Sequence, residues 1–266
     1  MLRSMYSGIS GMKGFQRKLD VIGNNIANVN TTGFKKGRVT FQDMMSQTSA
    51  AASGAVQGGK GGTNPMQVGL GSKLATIDTI HTQGFQQTTD RPLDFAIEGD
   101  GMFAVTDGTN TFYTRAGNFS LDENGDIVNA QGYYLLDTNN NHINIDPNAE
   151  DFSIQSNGTV TYLKDGNQSA PVTIGLAKFS NPEGLEKVGN NLYRATDNSG
   201  LANNGALYAP ESGGAGKLVT GALEMSNVDL SEEFTEMITA QRGFQANTRI
   251  ITTSDEILQE LVNLKR

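Results

Sequence analysis

The sequence predicts an α+β protein: long N- and C-terminal helices pairing as a coiled coil, with an inserted β-rich, mainly antiparallel domain. Three observations predict it. Apolar residues at both ends recur every three or four positions, the helical period. The middle of the chain replaces that period with short alternating segments closed by turn dipeptides. Opposite charge gathers at the two ends: residues 1–40 carry seven basic side chains against one acidic, and residues 224–266 carry eight acidic against four basic.

At the N-terminus the seam runs Leu2, Met5, Ile9, Met12, Phe15, Leu19, Ile22, Ile26 and Val29, close to a coiled-coil stripe with one extra three-residue step. The first helix is therefore placed at 1–33, with Gly33 as the left-handed residue that ends it. It closes on "NNIANVNTTGFKK", where Asn24, Asn25, Asn28 and Asn30 each cost about 0.6 kcal/mol against alanine in a helix.

Residues 34–73 read as an extended Gly/Ala/Ser-rich connection, with 46–72 a loop or loosely extended. The β-rich domain is placed at 74–212. Segments such as "DFAIEG", "MFAVTD" and "TVTYLK" have strand composition, and Asn124-Gly125, Asn157-Gly158 and Asp165-Gly166 favour the positive φ of tight hairpins. A return connection, 213–227, leads to a second helix at 228–266. Asp229 followed by Glu232 resembles a capping box. The seam of that helix runs Leu230, Phe234, Met237, Gln241, Phe244, Thr248, Ile251, Asp255, Leu258 and Val262. Two helices alone bury each stripe on one side only, so copies of the chain are expected to cover the rest.

Several function classes find no support. The net charge of −8 argues against nucleic acid. No run of 18 apolar residues exists, so no membrane insertion is expected, and the N-terminus has no cleaved-signal pattern. With no cysteine and only His81 and His142, a metal site or a histidine triad has little to build on. "GGAGKL" at 213–218 fails the phosphate-loop pattern at Glu211 and Leu218. The segments starting at Asp122 and Asp137 lack the glycine and glutamate of a calcium loop and read as hairpin turns. No catalytic residue and no cofactor is expected.

The head "MLRSMYSGISGMKGFQRKLDVIGNNIANVNTTGFKK", the tail "LEMSNVDLSEEFTEMITAQRGFQANTRIITTSDEILQELVNLKR" and the middle "LDFAIEGDGMFAVTDGTNTFYTRAGNFSLDENGDIVNAQGYYLLD" closely resemble the bacterial flagellar rod and hook proteins. The motif residues carrying the resemblance are Asn24, Asn25, Ala27, Asn28, Gly33, Phe34, Ser226, Asn227, Gln241 and Arg242. The resemblance implies a helical homopolymer with the terminal helices lining a tube and the β-domain outside. It also implies adjacent rod, hook-cap and hook–filament junction proteins as partners. Export would run through the flagellar type III apparatus without a cleaved signal, to an extracytoplasmic place in the hook or basal body. Phe41 and Met45 fit an export-gate motif of that family. "GTNPMQVGLGS" and "QELVNLKR" look more like hook proteins, so the reading is a hook subunit, the universal joint that passes motor torque to the filament. The alternative is the distal rod, the drive shaft; a third reading is a secreted β-domain enzyme or ligand-binding protein. In a packed tube Asn24, Asn25 and Asn28 are expected to bond neighbouring chains, recovering their helix cost on assembly.

Overall fold

A computed structural model describes residues 2–54, 61–164, 166–200 and 206–264. The side chain of Leu2 and the Asp165 half of one turn dipeptide lie outside the described residues. The chain divides into two compact units: residues 1–26, 37–78 and 229–266 form one, and 27–36 with 79–228 the other.

In the first unit, helix α1 (Leu2–Ala27) lies against helix α2 (Leu230–Leu264). Asp229 caps α2: its Oδ1 accepts the Ser231 and Glu232 N–H groups at 2.8 and 3.4 Å. The helices run antiparallel, since Gly8 faces Ile251, Gly11 faces Asn247, Phe15 faces Gly243 and Lys18 pairs with Glu236 at 3.0 Å. Small residues set the spacing. A Cβ placed on Gly243 would meet the Phe15 ring at 2.6 Å, and one on Gly11 would meet the Asn247 side chain at 2.9 Å.

That close approach corrects the expected seam. The positions of α2 buried in the fold are Glu233, Ala240 and Ser254. Leu230, Phe234, Phe244 and Val262, assigned to the seam, are exposed. Met237, Ile251 and Leu258 are part-buried. Periodicity locates a stripe, but which flank meets the partner depends on side-chain size, and here the smaller residues win. On α1 the seam fares better: Ile22 is buried, and Met5, Ile9, Met12, Phe15, Leu19 and Ile26 are part-buried.

The first helix stops at Ala27, short of 33, so Val29 is not a helical seam position. Beyond it the chain turns, with Thr31 N–H donating to the Asn28 carbonyl at 3.2 Å and its hydroxyl to Asn28 Oδ1 at 3.0 Å. Asparagine and threonine satisfy each other better in a turn than in a helix. Gly33 does take a positive φ of 70°, but six residues past the helix end.

Strands also occur in the stretch expected to be a loose connection. Gly37–Asp43 pairs with Ser72–Thr79, and Ser46–Ala50 pairs antiparallel with Met66–Gly69. Ser46–Ala50 is exposed throughout, so its ladder rests on backbone bonds that leave no hydrophobic signature.

The second unit carries an eight-stranded sheet whose central strand, Met102–Thr106, is buried along its whole length. Alternate side chains serve two cores, Phe103 and Val105 on one face, Met102 and Ala104 on the other. Phe95, Phe103 and Phe119 form a ring triangle with centroids 5.4–6.3 Å apart. Two of the expected hairpin turns are present, with Gly125 at φ 84° and Gly158 at φ 75°. The 213–227 stretch is more than a return connection. Lys217–Thr220 pairs antiparallel with Phe95–Glu98, burying Leu218, and Ala222–Glu224 pairs with Gln86–Thr88.

Replacing Phe103 with alanine empties the centre of that ring triangle. The expected cost is about 3–5 kcal/mol, read as a lowered urea midpoint with the tertiary signal of the second unit lost first.

Candidate assembly site

The first unit leaves much of its apolar surface uncovered. Leu230, Phe234 and Ile238 are exposed in the first turns of α2, and Ile250, Ile257, Leu261 and Leu264 in the later ones. The last four recur at spacings of seven, four and three, a knob-like stripe that stays 44–82% exposed. Monomeric soluble proteins rarely leave such a surface open, so this one is built to be covered.

Asn25 shows why one of the costly asparagines belongs in α1. It is 1% exposed. Its Nδ2 donates to the Gly37 carbonyl at 2.9 Å and to Glu233 Oε2 at 3.1 Å, while Oδ1 accepts the Gly37 N–H at 3.0 Å. One side chain thus ties α1, α2 and the strand after the turn. The expectation that Asn25 waits for a neighbouring chain is corrected: its bonds are made within its own chain, at a position where alanine would leave buried polar groups unpaired.

In the second unit the centre is Glu224, whose carboxylate is fully buried. Lys35 Nζ donates to Oε1 at 2.5 Å, Arg115 Nε to Oε2 at 2.5 Å, and the Gly84 N–H to Oε1 at 2.9 Å. Glu224's own carbonyl accepts the Gly33 N–H at 2.8 Å. Lys35 donates onward to the Thr82 carbonyl, and Arg115 to the carbonyls of Ile97, Gly99 and Gly101. Burial pushes the Glu224 carboxyl up; the charges of Arg115 and Lys35, with the Lys35 and Gly84 hydrogen bonds, outweigh it and hold the group below its ordinary value. Burial pulls Lys35 down, against the attraction of Glu224. The carboxylate faces two cations and is the group that fixes the charge state. Gly33 fits because a Cβ there would sit 2.7 Å from the Arg115 carbonyl carbon, and its φ is positive.

The motif residues fall into two sets. Phe34 is buried under Lys187, whose Nζ lies 5.2 Å from the ring centroid. Asn227 bridges three segments, accepting the Lys36 N–H at 2.8 Å and donating to the Ile80 carbonyl at 2.9 Å and the Thr82 hydroxyl at 2.9 Å. Ser226 is buried, with its hydroxyl accepting the Val228 N–H. Asn24, Ala27, Gln241 and Arg242 are exposed. Phe41 packs beside Phe15 at 6.2 Å between centroids, and Met45 is 80% exposed.

His81 carries a signal that sequence reading missed. Both ring nitrogens are buried without a well-aligned hydrogen bond, the Pro182 backbone acting on the ring only weakly, and the ring lies 5.6 Å from Tyr193 beside a cavity of about 340 Å³. Burial, followed by the charges of Lys35, Lys187 and Arg115, lowers its pKa to about 4. His142, by contrast, stacks on Tyr134.

Two outcomes follow from these groups. Replacing Glu224 with alanine strands two buried cations, and the expected loss is about 3–5 kcal/mol by urea unfolding; Glu224→Gln, which also loses the charge, should lie close to it. Protonation of His81 favours the unfolded chain, whose histidine titrates near 6.5, over the fold, where it titrates near 4. Its contribution is therefore full above pH 6.5 and is lost as pH falls from there to about 4. The wild-type chain should lose stability across that window faster than His81→Phe.

Comparison with known proteins accounts for both units. Residues 5–35 match the family "Flagella basal body rod protein", residues 96–162 the "Flagellar hook protein FlgE/F/G D1 domain", and residues 219–264 the "Flagellar basal body rod FlgEFG protein C-terminal". The chain is 59% identical to the flagellar basal-body rod protein FlgG of Bacillus subtilis, with all of both chains covered. It is 41% identical to FlgG of Caulobacter vibrioides over 99% of this chain and all of the other. It is 31% identical to the flagellar hook protein FlgE of Borreliella burgdorferi, again with both chains fully covered, over an alignment of 447 residues. Three matched segments in order and 59% identity over the full length of both chains lead to one conclusion: the chain belongs to the flagellar hook and basal-body rod protein family, whose members are structural subunits of the flagellum.

Proposed function

We propose that the chain is a distal rod subunit, which self-assembles into the straight drive shaft of the flagellar basal body. The observation that carries this is the 59% identity to a basal-body rod protein over 267 aligned residues, nearly the length of this chain. The hook protein, at 31%, needs an alignment of 447 residues, so it carries a large stretch with no counterpart here. The hook reading of the sequence rested on two short segments, "GTNPMQVGLGS" and "QELVNLKR". Both lie in the helix-bearing unit rather than in the sheet-bearing one.

On this reading the exposed stripes of α2 are contacts between copies, with adjacent rod and hook components as the axial neighbours. Subunits would reach the growing tip through the flagellar export apparatus, with Phe41 and Met45 accessible in the unfolded chain. The role is structural, and no step of catalysis is assigned.

Two measurements test it. Antibody against residues 79–228 applied to isolated basal bodies should label the straight shaft; label on the curved segment outside the cell would restore the hook. The purified full chain should form sedimentable filaments, and the chain ending at Val228 should stay monomeric at the same concentration. Filaments from the shortened chain would overturn the helix-borne assembly.

A further inference from the structure

The face of α1 turned away from α2 carries its own pattern. Arg3, Tyr6, Ser10, Lys13 and Arg17 follow at spacings of three, four, three and four, one straight stripe. At 100° per residue it lies roughly opposite Gly8, Gly11 and Phe15, which face α2. Met44, Leu70 and Leu74 pack beside it, leaving two adjoining hollows of about 390 and 200 Å³ with Lys73 on the rim. The floor is apolar and the rim basic. None of Arg3, Lys13, Arg17 and Lys73 forms an ion pair among the described residues, and Tyr6 is 68% exposed.

We propose that this groove seats the later turns of α2 from a second copy of the chain. The inference rests on the homopolymer reading and names the contact. The shape of the occupant fits: Ile257, Leu261 and Leu264 form an exposed stripe, and Glu256 and Glu260 run along one flank of it. An apolar ridge with an acidic edge meets an apolar floor with a basic rim, so the pairing is complementary in both respects. A chain cannot close this contact on itself. Its own α2 is held at Gly8 and Gly11, on the far side of α1. Groove and ridge are different surfaces, so each copy offers one of each to its neighbours, and on the homopolymer reading the repeated contact builds an open helical array.

The chain has no cysteine, which makes cross-linking clean. Full-length Ser10→Cys and Ile257→Cys chains are mixed, assembled and oxidised, with Ser10→Cys plus Gln245→Cys as control. The expected result is a covalent dimer from the first mixture and little from the second. In parallel, Lys13→Glu/Arg17→Glu and Glu256→Lys/Glu260→Lys should each raise the critical concentration for assembly roughly tenfold. The four substitutions together should bring it back towards that of the unaltered chain. A polymer that yields no Ser10–Ile257 link, or reversals that leave assembly unchanged, would overturn the docking while leaving the homopolymer intact. A natural chain that forms no polymer at any concentration overturns both.

Discussion

The sheet-bearing unit depends on one carboxylate. Glu224 gathers a turn (Gly33–Lys35), a second turn (Gly84), a strand end (Arg115) and its own strand around a buried negative charge. Arg115 then spends its remaining donors on three carbonyls of the Ile97–Gly101 segment, one of which, that of Ile97, also accepts Gln83 Nε2 at 3.3 Å. A buried ion cluster of this kind is seldom more stabilising than a well-packed apolar one. What it offers is exclusivity. A carboxylate with two cations and an amide aimed at it accepts one arrangement of the converging segments, whereas leucines in the same place would tolerate several.

In the helical unit the constraint is closeness. Glycines at 11 and 243 let α1 and α2 approach until Asn247 and Phe15 fill the space a Cβ would need. The larger apolar residues of α2 are thereby left outside, and the helix pair is stable enough to form but incomplete as a surface. Asn25 reinforces the same economy, since a single amide joins both helices and the outgoing strand without widening the interface.

How much of this was legible in the sequence varies with the range of the interaction. Helical period and Asn-Gly dipeptides act over a few residues, and they located both helices and the turns at Gly125 and Gly158. The face of α2 that meets α1 was misplaced because Ala240 and Gly243 carry no hydrophobic signal, though they decide how near the helices come. The Ser46–Ala50 and Met66–Gly69 pairing is carried by backbone, which every sequence possesses. The Glu224 centre was invisible because its cations lie 189 and 109 residues away along the chain. His81 looked ordinary for a related reason: its isolation is a property of its surroundings. The hook relative aligns over 447 residues, so a large stretch of it has no counterpart here, and short shared segments say little about whether a chain is rod or hook.

The antiparallel helix pair also sets an order of events. Met12 meets Thr248, 236 residues further on. The N-terminal helix therefore emerges from synthesis long before its helical partner, with only the Gly37–Asp43 strand and the segments near it to pack on in the meantime. Closing so long a loop costs conformational entropy that the contacts of α2 with α1 must offset. The sheet-bearing unit is subject to no such delay over most of its length, because residues 79–228 are continuous. A subunit of this design is born with one half able to settle early and the helix pair of the other waiting until α2 has been made, a clock written into connectivity rather than into any single residue.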